Sequence, residues 1–328
     1  MASAALTAIG AVVNYVGGSF AAVAAGTASL GQTATVMAVW TTATVAVNAV
    51  LTPQIGASGS PTDWQADSDA GIPFVVGRRG VAGNIVHRDE WGPDNRYQSI
   101  VTVYSGAGPI NNFGTFRADE TAVTFGSYGR VGSGTWQDVM WLDTRLGAQP
   151  DTALETPADK GDGTVSGTMP QWGSTYKLSG KAASMWTLAL DRDRKRYPGG
   201  EPRPRIDIEG ILGYDPRLDS TYPGGSGTCR LDDRTSWVYS TNPIIGGLNW
   251  ALGYRENGAL VGGIGSSIDG IDVAAYVEAA NISDANGWTV SAHFTTKDDK
   301  HQVLLGFLQA GGATYANNAG LISCVSRA

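Results

Sequence analysis

From residue 72 onward, short apolar runs are broken at close intervals by turn residues. IPFVVG, GNIVHR, YQSIVTVYSGAGPI and TAVTFGSYG carry the β-branched and aromatic side chains of strands, bounded by Gly, Pro and Asn. SMWTLAL (184–190) alternates as a strand does and leads into the polar turn DRDRKRYPGGEPRP. RIDIEGILGYD (205–215) then reads as a further strand pair. Three later stretches have helical spacing. Asn242–Gly253 groups Ile245, Leu248, Trp250 and Leu252, against the weakening effect of Gly246 and Gly247. Ile271–Gly287 sets Val273, Tyr276, Val277 and Ala280 on one face. KDDKHQVLLGFLQAGG predicts an amphipathic helix that stops at Gly311–Gly312. A strand, WTVSAHFTT, lies between the last two helices, and NAGLISCVSRA closes the chain as a strand with nothing visible to pair beyond it. No internal repeat or heptad is present.

The pattern before residue 63 is of another kind. The first 62 residues contain no Asp, Glu, Lys or Arg and are rich in Ala, Val, Thr and Gly. A secretory signal would begin with basic residues and carry a shorter apolar core. The window from Ala34 to Thr52 is long enough to cross a bilayer, but its Thr and Ala content and Asn48 make it weakly hydrophobic, and no flanking Lys or Arg orients it. Three readings stand: a helical segment buried against other subunits, a segment that contacts or enters a membrane, or a poorly ordered leader. GASGSP (Gly56–Pro61) then reads as a linker. The expected organisation is an apolar segment over 1–55, a linker over 56–62, a β-rich part with an insertion over 63–205, and an α+β part over 206–328. The fold class is α+β and predominantly β.

Composition narrows the function classes. Charged residues are 16% of the chain, 45 of 328 residues are glycine, and the net charge is −7. Low charge with abundant Gly suits a turn-rich β protein. An acidic surface holds phosphate backbones poorly, which argues against sequence-specific nucleic-acid binding. Cys229 and Cys324 stand far apart, as reduced thiols rather than a disulfide framework, and His87, His293 and His301 are scattered without metal-ligand spacing.

Candidate chemistry is sparse. GRVGSGTW (Gly129–Trp136) lacks the Lys–Ser/Thr pair of a phosphate loop, and GGIGSSIDG (Gly262–Gly270) has Ile268 where a dinucleotide fingerprint needs glycine. Both read as hairpin turns. DKGDGT, with Asp159 and Asp162, lacks the distal Glu of a calcium loop and reads as a solvated turn, with cation binding left open. HRDEW (His87–Trp91) gathers His, Asp and Glu, but neighbours on a strand point to opposite faces. No GxSxG nucleophile motif is present. YDPRLDSTYPGGSGTCR (214–230) is the densest polar stretch. Asp215 and Asp219 make a thin metal loop, whereas Pro216, Pro223, Gly224, Gly225 and Gly227 fit a rigid connector in which Arg217 pairs with a carboxylate nearby or on another subunit. No catalytic, cofactor-binding or metal-ligating residue is assigned, and no cofactor is expected.

The order of these phrases resembles the central tail hub, or tip attachment, proteins of lambda-like long-tailed bacteriophages. IPFVVGRRGVAGNIVHR is similar to that family's early glycine-spaced strand pair, and YQSIVTVYSGAGPINNFGTFRADETAV to its "G-P-I" strand and following hairpin. WLDTRLGAQPDTAL resembles its "LGTQ"-type segment. The stretch from Leu178 to Arg217 resembles its strand, "P-x-G-x-P" turn and strand leading into "YDPR". WVYSTNPIIGGLNWALG resembles its "NPA" helix, and the closing helix–strand–helix–strand block follows the family pattern, with His301 where tryptophan is common. The resemblance covers 64–326. It implies several β-rich tail-hub domains in a non-enzymatic homotrimeric ring that closes the distal end of the tail tube. The partners it implies are tail-tube, tape-measure and neighbouring tip proteins, with host envelope contact during attachment and DNA delivery. It also implies that the chain stops within a domain. Two other classes stand beside it: a peptidoglycan hydrolase, and a membrane-inserting pore or anchor acting through residues 1–55.

Overall fold

Two antiparallel sheets carry the fold, and the strand that starts the first of them changes partner at a glycine. In the computed structural model, which describes residues 70–191, 196–197 and 199–327, β1 (Pro73–Val81) pairs through Pro73–Gly77 with β11 (Ser291–Thr295) and through Arg78–Val81 with β8 (Pro204–Ile211). Gly77 sits at the switch with φ +73°, and a Cβ there would lie 1.9 Å from the Val290 carbonyl oxygen. Only glycine takes that conformation at that approach without strain. The sheet continues through β4 (Ile110–Ala118) to β5 (Thr121–Val123) in the order β11-β1-β8-β4-β5. The second sheet has the order β2-β3-β7-β6, from β2 (Asn84–Trp91), β3 (Tyr97–Ser105), β7 (Ala182–Ala189) and β6 (Met140–Arg145).

β3 and β7 are buried along their whole length. The reason is that each faces two cores. Ile100, Trp186 and Leu188 join the main core with Phe74, Ile206 and Ile208 of the first sheet. Val101, Val103, Met185 and Ala189 join a second core with Trp91, Tyr97 and Trp141, closed from outside by Leu154, Val165 and Met169. Those last three belong to the irregular stretch 146–181 between β6 and β7. The SMWTLAL alternation therefore separates two apolar layers rather than core from solvent.

Three helices close the other side of the first sheet. α1 (Pro243–Leu252) is buried on every face, and its two glycines explain how. A Cβ on Gly246 would lie 2.8 Å from the Phe307 ring, so the glycines let α3 (Lys300–Ala310) pack at close range. α2 (Val273–Ala285) buries Val273, Tyr276, Ala279 and Ala280, with Val277 only half-buried. Asn242, Asp272 and Asp299 cap the three N-termini by accepting backbone N–H bonds. Between α1 and α2 lies the small hairpin of β9 (Tyr254–Glu256) and β10 (Ala259–Gly262).

The fold is α+β and predominantly β. Two local expectations are corrected, those for RIDIEGILGYD and GGIGSSIDG. RIDIEGILGYD forms one strand, β8, followed by a single bridge from Gly213 to Val238, because Gly210 backs onto the Val75 carbonyl and the chain turns away after Ile211. The closing strand β13 (Leu321–Ser326) finds its partner behind it, in β12 (Ala313–Asn318). GGIGSSIDG is the connection from β10 into α2 and not a hairpin turn. GRVGSGTW lies in hairpin turns as expected, with antiparallel bridges of Phe125 to Val131 and of Arg130 to Trp141 around it. Position 205/206 falls inside β8. Residues 1–55 and 56–62 lie outside the described residues, and among those described no helix is long and apolar enough to cross a membrane.

Candidate functional site

The stretch 214–236 folds into a polar knot against α2. Asp215 caps the 3-10 turn Pro216–Leu218, accepting from the Arg217 backbone N–H at 3.0 Å. The Arg217 guanidinium returns on the same carboxylate, Nε to Oδ1 at 3.0 Å and Nη2 to Oδ2 at 2.8 Å. Its remaining nitrogen, Nη1, reaches α2 and donates to Asp284 at 2.6 Å and Asn281 at 3.2 Å. Asp284 in turn accepts from the side-chain amide of Asn242, the α1 cap, at 2.7 Å. One guanidinium thus ties the connector to two helices. The hydrogen bond to Asp215 is the main reason that the Arg217 pKa is raised further, with Asp284 adding to it.

Asp219 organises the other half. It accepts from Thr221 N–H at 2.8 Å, Thr221 Oγ1 at 2.6 Å, Tyr214 OH at 2.9 Å and Arg230 Nη1 at 3.0 Å. The Thr221 hydroxyl first, against burial, and then the Thr221 N–H, Tyr214 and Arg230 hold this carboxyl below its ordinary range. Burial pushes the Tyr214 phenol up, and its bond to Asp219 adds to the effect. Gly225 closes the loop where a Cβ would meet the Asp219 and Pro216 carbonyl oxygens at 2.2 and 2.4 Å. All four carboxylate oxygens of Asp215 and Asp219 accept protein donors, so the arrangement reads as a connector. Arg217 finds its carboxylates within its own chain.

DKGDGT is a turn with Asp159, Gly161, Gly163 and Thr164 exposed, as its composition suggests, but one of its carboxylates is buried. Asp162 is only 2% exposed and accepts from the Trp141 indole at 2.9 Å, Thr164 N–H at 3.0 Å and Thr164 Oγ1 at 2.6 Å. Burial alone would raise its pKa; the Thr164 and Trp141 bonds and the charge of Arg130, 3.5 Å away, lower it. Asp159 accepts from Thr156 N–H and hydroxyl at 3.2 and 2.7 Å. Among the described residues, no three His, Cys, Asp or Glu side chains converge as metal ligands do.

HRDEW lies on β2, with His87 and Asp89 more buried than Val86, Arg88 and Glu90. The two faces stay apart, as a strand requires. His87 packs on Trp172 at 5.4 Å, and Arg88 pairs with Glu201. Asp89 accepts its neighbour's N–H. Nothing here couples a base to a nucleophile.

Sequence reasoning missed three anchors. Buried Asp143 accepts from both the Arg145 guanidinium at 2.9 Å and Lys160 at 2.5 Å, and takes the Glu155 N–H at 2.8 Å. Arg234 donates to the carbonyls of Ala107, Gly108 and Arg255 and lies 5.1 Å from the Trp237 ring centroid. Lys181 pairs with Glu256 at 2.7 Å, and Glu256 also accepts the Ala107 N–H. The only sequence signal for these is the adjacency of a carboxylate to an arginine in D-T-R, because the other partners are distant in the chain. Cys229 and Cys324 are buried free thiols.

His293, on β11, supplies a pH dependence. Burial pushes its imidazole down to about 4, with Arg79 adding to the shift and Asp298 opposing it. An unfolded histidine protonates near pH 6.5, so between about 6.5 and 4 the unfolded chain takes up a proton that the folded chain refuses. Stability then falls with falling pH across that window, by about 2 to 3 kcal/mol from this group. Thermal melts at pH 7 and pH 4.5 are expected to show the decline, and His293→Gln to reduce it. An undiminished decline in the variant overturns the assignment.

Neither a protein-family model nor a curated protein matches the chain. Among solved structures, the chain is similar to one from the virion of a native gene transfer agent particle, with 14% identity and a TM-score of 0.41. That match covers 92% of this chain and 65% of the other.

Proposed function

We propose that the protein is a non-enzymatic structural subunit of a bacteriophage tail tip. In this reading it is a hub protein of the virion that assembles as a homotrimeric ring at the distal end of the tail tube. Tail-tube, tape-measure and neighbouring tip proteins are its partners, and its work is host attachment and DNA delivery. The observation that carries the reading is the polar knot of residues 214–236. There, the side chains that look most like an active site are consumed in intramolecular bonds that fix a connector between sheet and helices. A ring subunit needs such fixed angles, because a small error in each copy prevents closure. The ordered family-like phrases from Ile72 to Ser326 support it too, since they map onto successive elements of the two sheets and three helices.

Electron microscopy of assembled particles tests the proposal, together with incubation of the purified full chain with peptidoglycan. A ring of three copies at the tail's distal end, with no soluble wall fragments released, is the expected result. A position elsewhere in the particle, or wall fragments released, overturns it.

A further inference from the structure

The stretch 146–181 is irregular throughout, more than twice the roughly 12–15 residues beyond which such loops are uncommon unless they serve a function or lack order. This one is built. It has its own core, and Trp141 and Asp143 of β6 pin it from below through Asp162 and Glu155. Such a structure needs a reason beyond joining β6 to β7, which run antiparallel as direct neighbours and could be linked by a short turn.

On its outer side the stretch forms a pocket of 740 Å³. Leu154, Met169 and Trp172 give it apolar walls. The Trp172 ring is held in place from two directions, by His87 at 5.4 Å and by Tyr176, stacked at 5.3 Å and 20°. The stack leaves Tyr176 50% exposed beside the pocket. Around the apolar walls stand Glu155, Asp159, Thr175 and Lys177, which offer acceptors, a hydroxyl and a cationic donor.

We propose that this pocket binds a saccharide, of the class of neutral hexose or N-acetylhexosamine chains. A pyranose ring has an apolar face of C–H groups and a rim of hydroxyls that both donate and accept, which complements apolar walls inside a mixed polar rim. Two carboxylates against one ammonium disfavour an acidic sugar or a phosphate. A proline-rich peptide, the other common occupant of aromatic grooves, is usually held by a tryptophan indole N–H donating to one of its carbonyls. The Trp172 indole N–H is already committed to the Leu154 carbonyl at 2.9 Å. The inference is independent of the tail-tip reading, since a pocket of this kind serves any protein that meets a polysaccharide.

Saturation-transfer NMR of the full chain tests it, with chitotetraose, cellotetraose, maltotetraose and mannotetraose as probes and decaproline as the competing class. At least one sugar is expected to receive saturation on its ring protons. Gly173→Tyr should then abolish transfer, because Gly173 lines the pocket and a Cβ there meets nothing within 4 Å, so the new ring fills the pocket without disturbing the fold. Tyr176→Ala and Glu155→Gln should each weaken binding several-fold while leaving the melting temperature within a degree or two. Transfer to none of the four sugars, transfer to decaproline alone, or sugar binding unchanged in Gly173→Tyr overturns the proposal.

Discussion

Replacing Arg217 with alanine is expected to lower the melting temperature of the isolated chain by about 10 °C. The substitution leaves the Asp215 side chain, 4% exposed, without the guanidinium that meets both of its oxygens. Breaking a buried pair by removing one partner costs about 3 to 5 kcal/mol, most of it from the charge left behind. For a domain of this size each kcal/mol is worth roughly 2 to 4 °C. Arg217→Lys keeps the charge and loses the fork, so it should recover only part of the loss. Asp284→Ala should cost less than Arg217→Ala, since Asp284 is 54% exposed and Arg217 retains Asp215. A normal melt for Arg217→Ala combined with failed oligomerisation would reverse this ranking and give the arginine to a subunit contact.

The second large effect is expected at Asp162. Asp162→Ala removes the acceptor of the buried Trp141 indole and of both donors of the exposed Thr164. A buried donor left unpaired costs about 1 to 3 kcal/mol, so a loss of about 2 to 3 kcal/mol is expected, most of it from the indole. The damage should be local before it is global. Hydrogen exchange and limited proteolysis are expected to show residues 146–181 opening, with the two sheets protected. Asp162→Asn, which keeps an oxygen for the indole, should be milder. Uniform loss of protection across both sheets would show that the stretch 146–181 is not a separable unit. The same carboxylate adds an acid dependence. Its pKa is lowered in the fold, so its contribution is complete above the unfolded carboxyl pKa and is lost as pH falls through the folded one.

Much of the secondary structure was legible because its signals are local. The apolar spacing marked all three helices, and Gly311–Gly312 ends the last one where it was expected. The proline and glycine content of 214–230 announced a fixed connector, and 3-10 and bridge geometry there bears that out. What the linear pattern leaves open is burial. SMWTLAL alternates as a strand does, yet both faces of β7 are buried, and DKGDGT reads as a solvated turn, yet Asp162 within it is buried. Periodicity reports which residues share a face of a strand, and says nothing of what covers that face.

The candidate site was less legible. Asp215 and Arg217 stand two residues apart and could be paired on paper, but Asp284 lies 67 positions further on, and nothing in its own neighbourhood marks it as Arg217's partner. The same holds for Asp162 with Trp141, for His87 with Trp172 and for Arg234 with Ala107.

The sequence by itself thus determined the strands, helices and turns, since backbone preference and apolar spacing act over a few residues. Only the tertiary structure decided which carboxylates are buried hubs, which cation meets which acceptor, and that an irregular stretch carries an aromatic-walled pocket. Those outcomes depend on desolvation and on partners brought together by folding, and a linear pattern carries no measure of either.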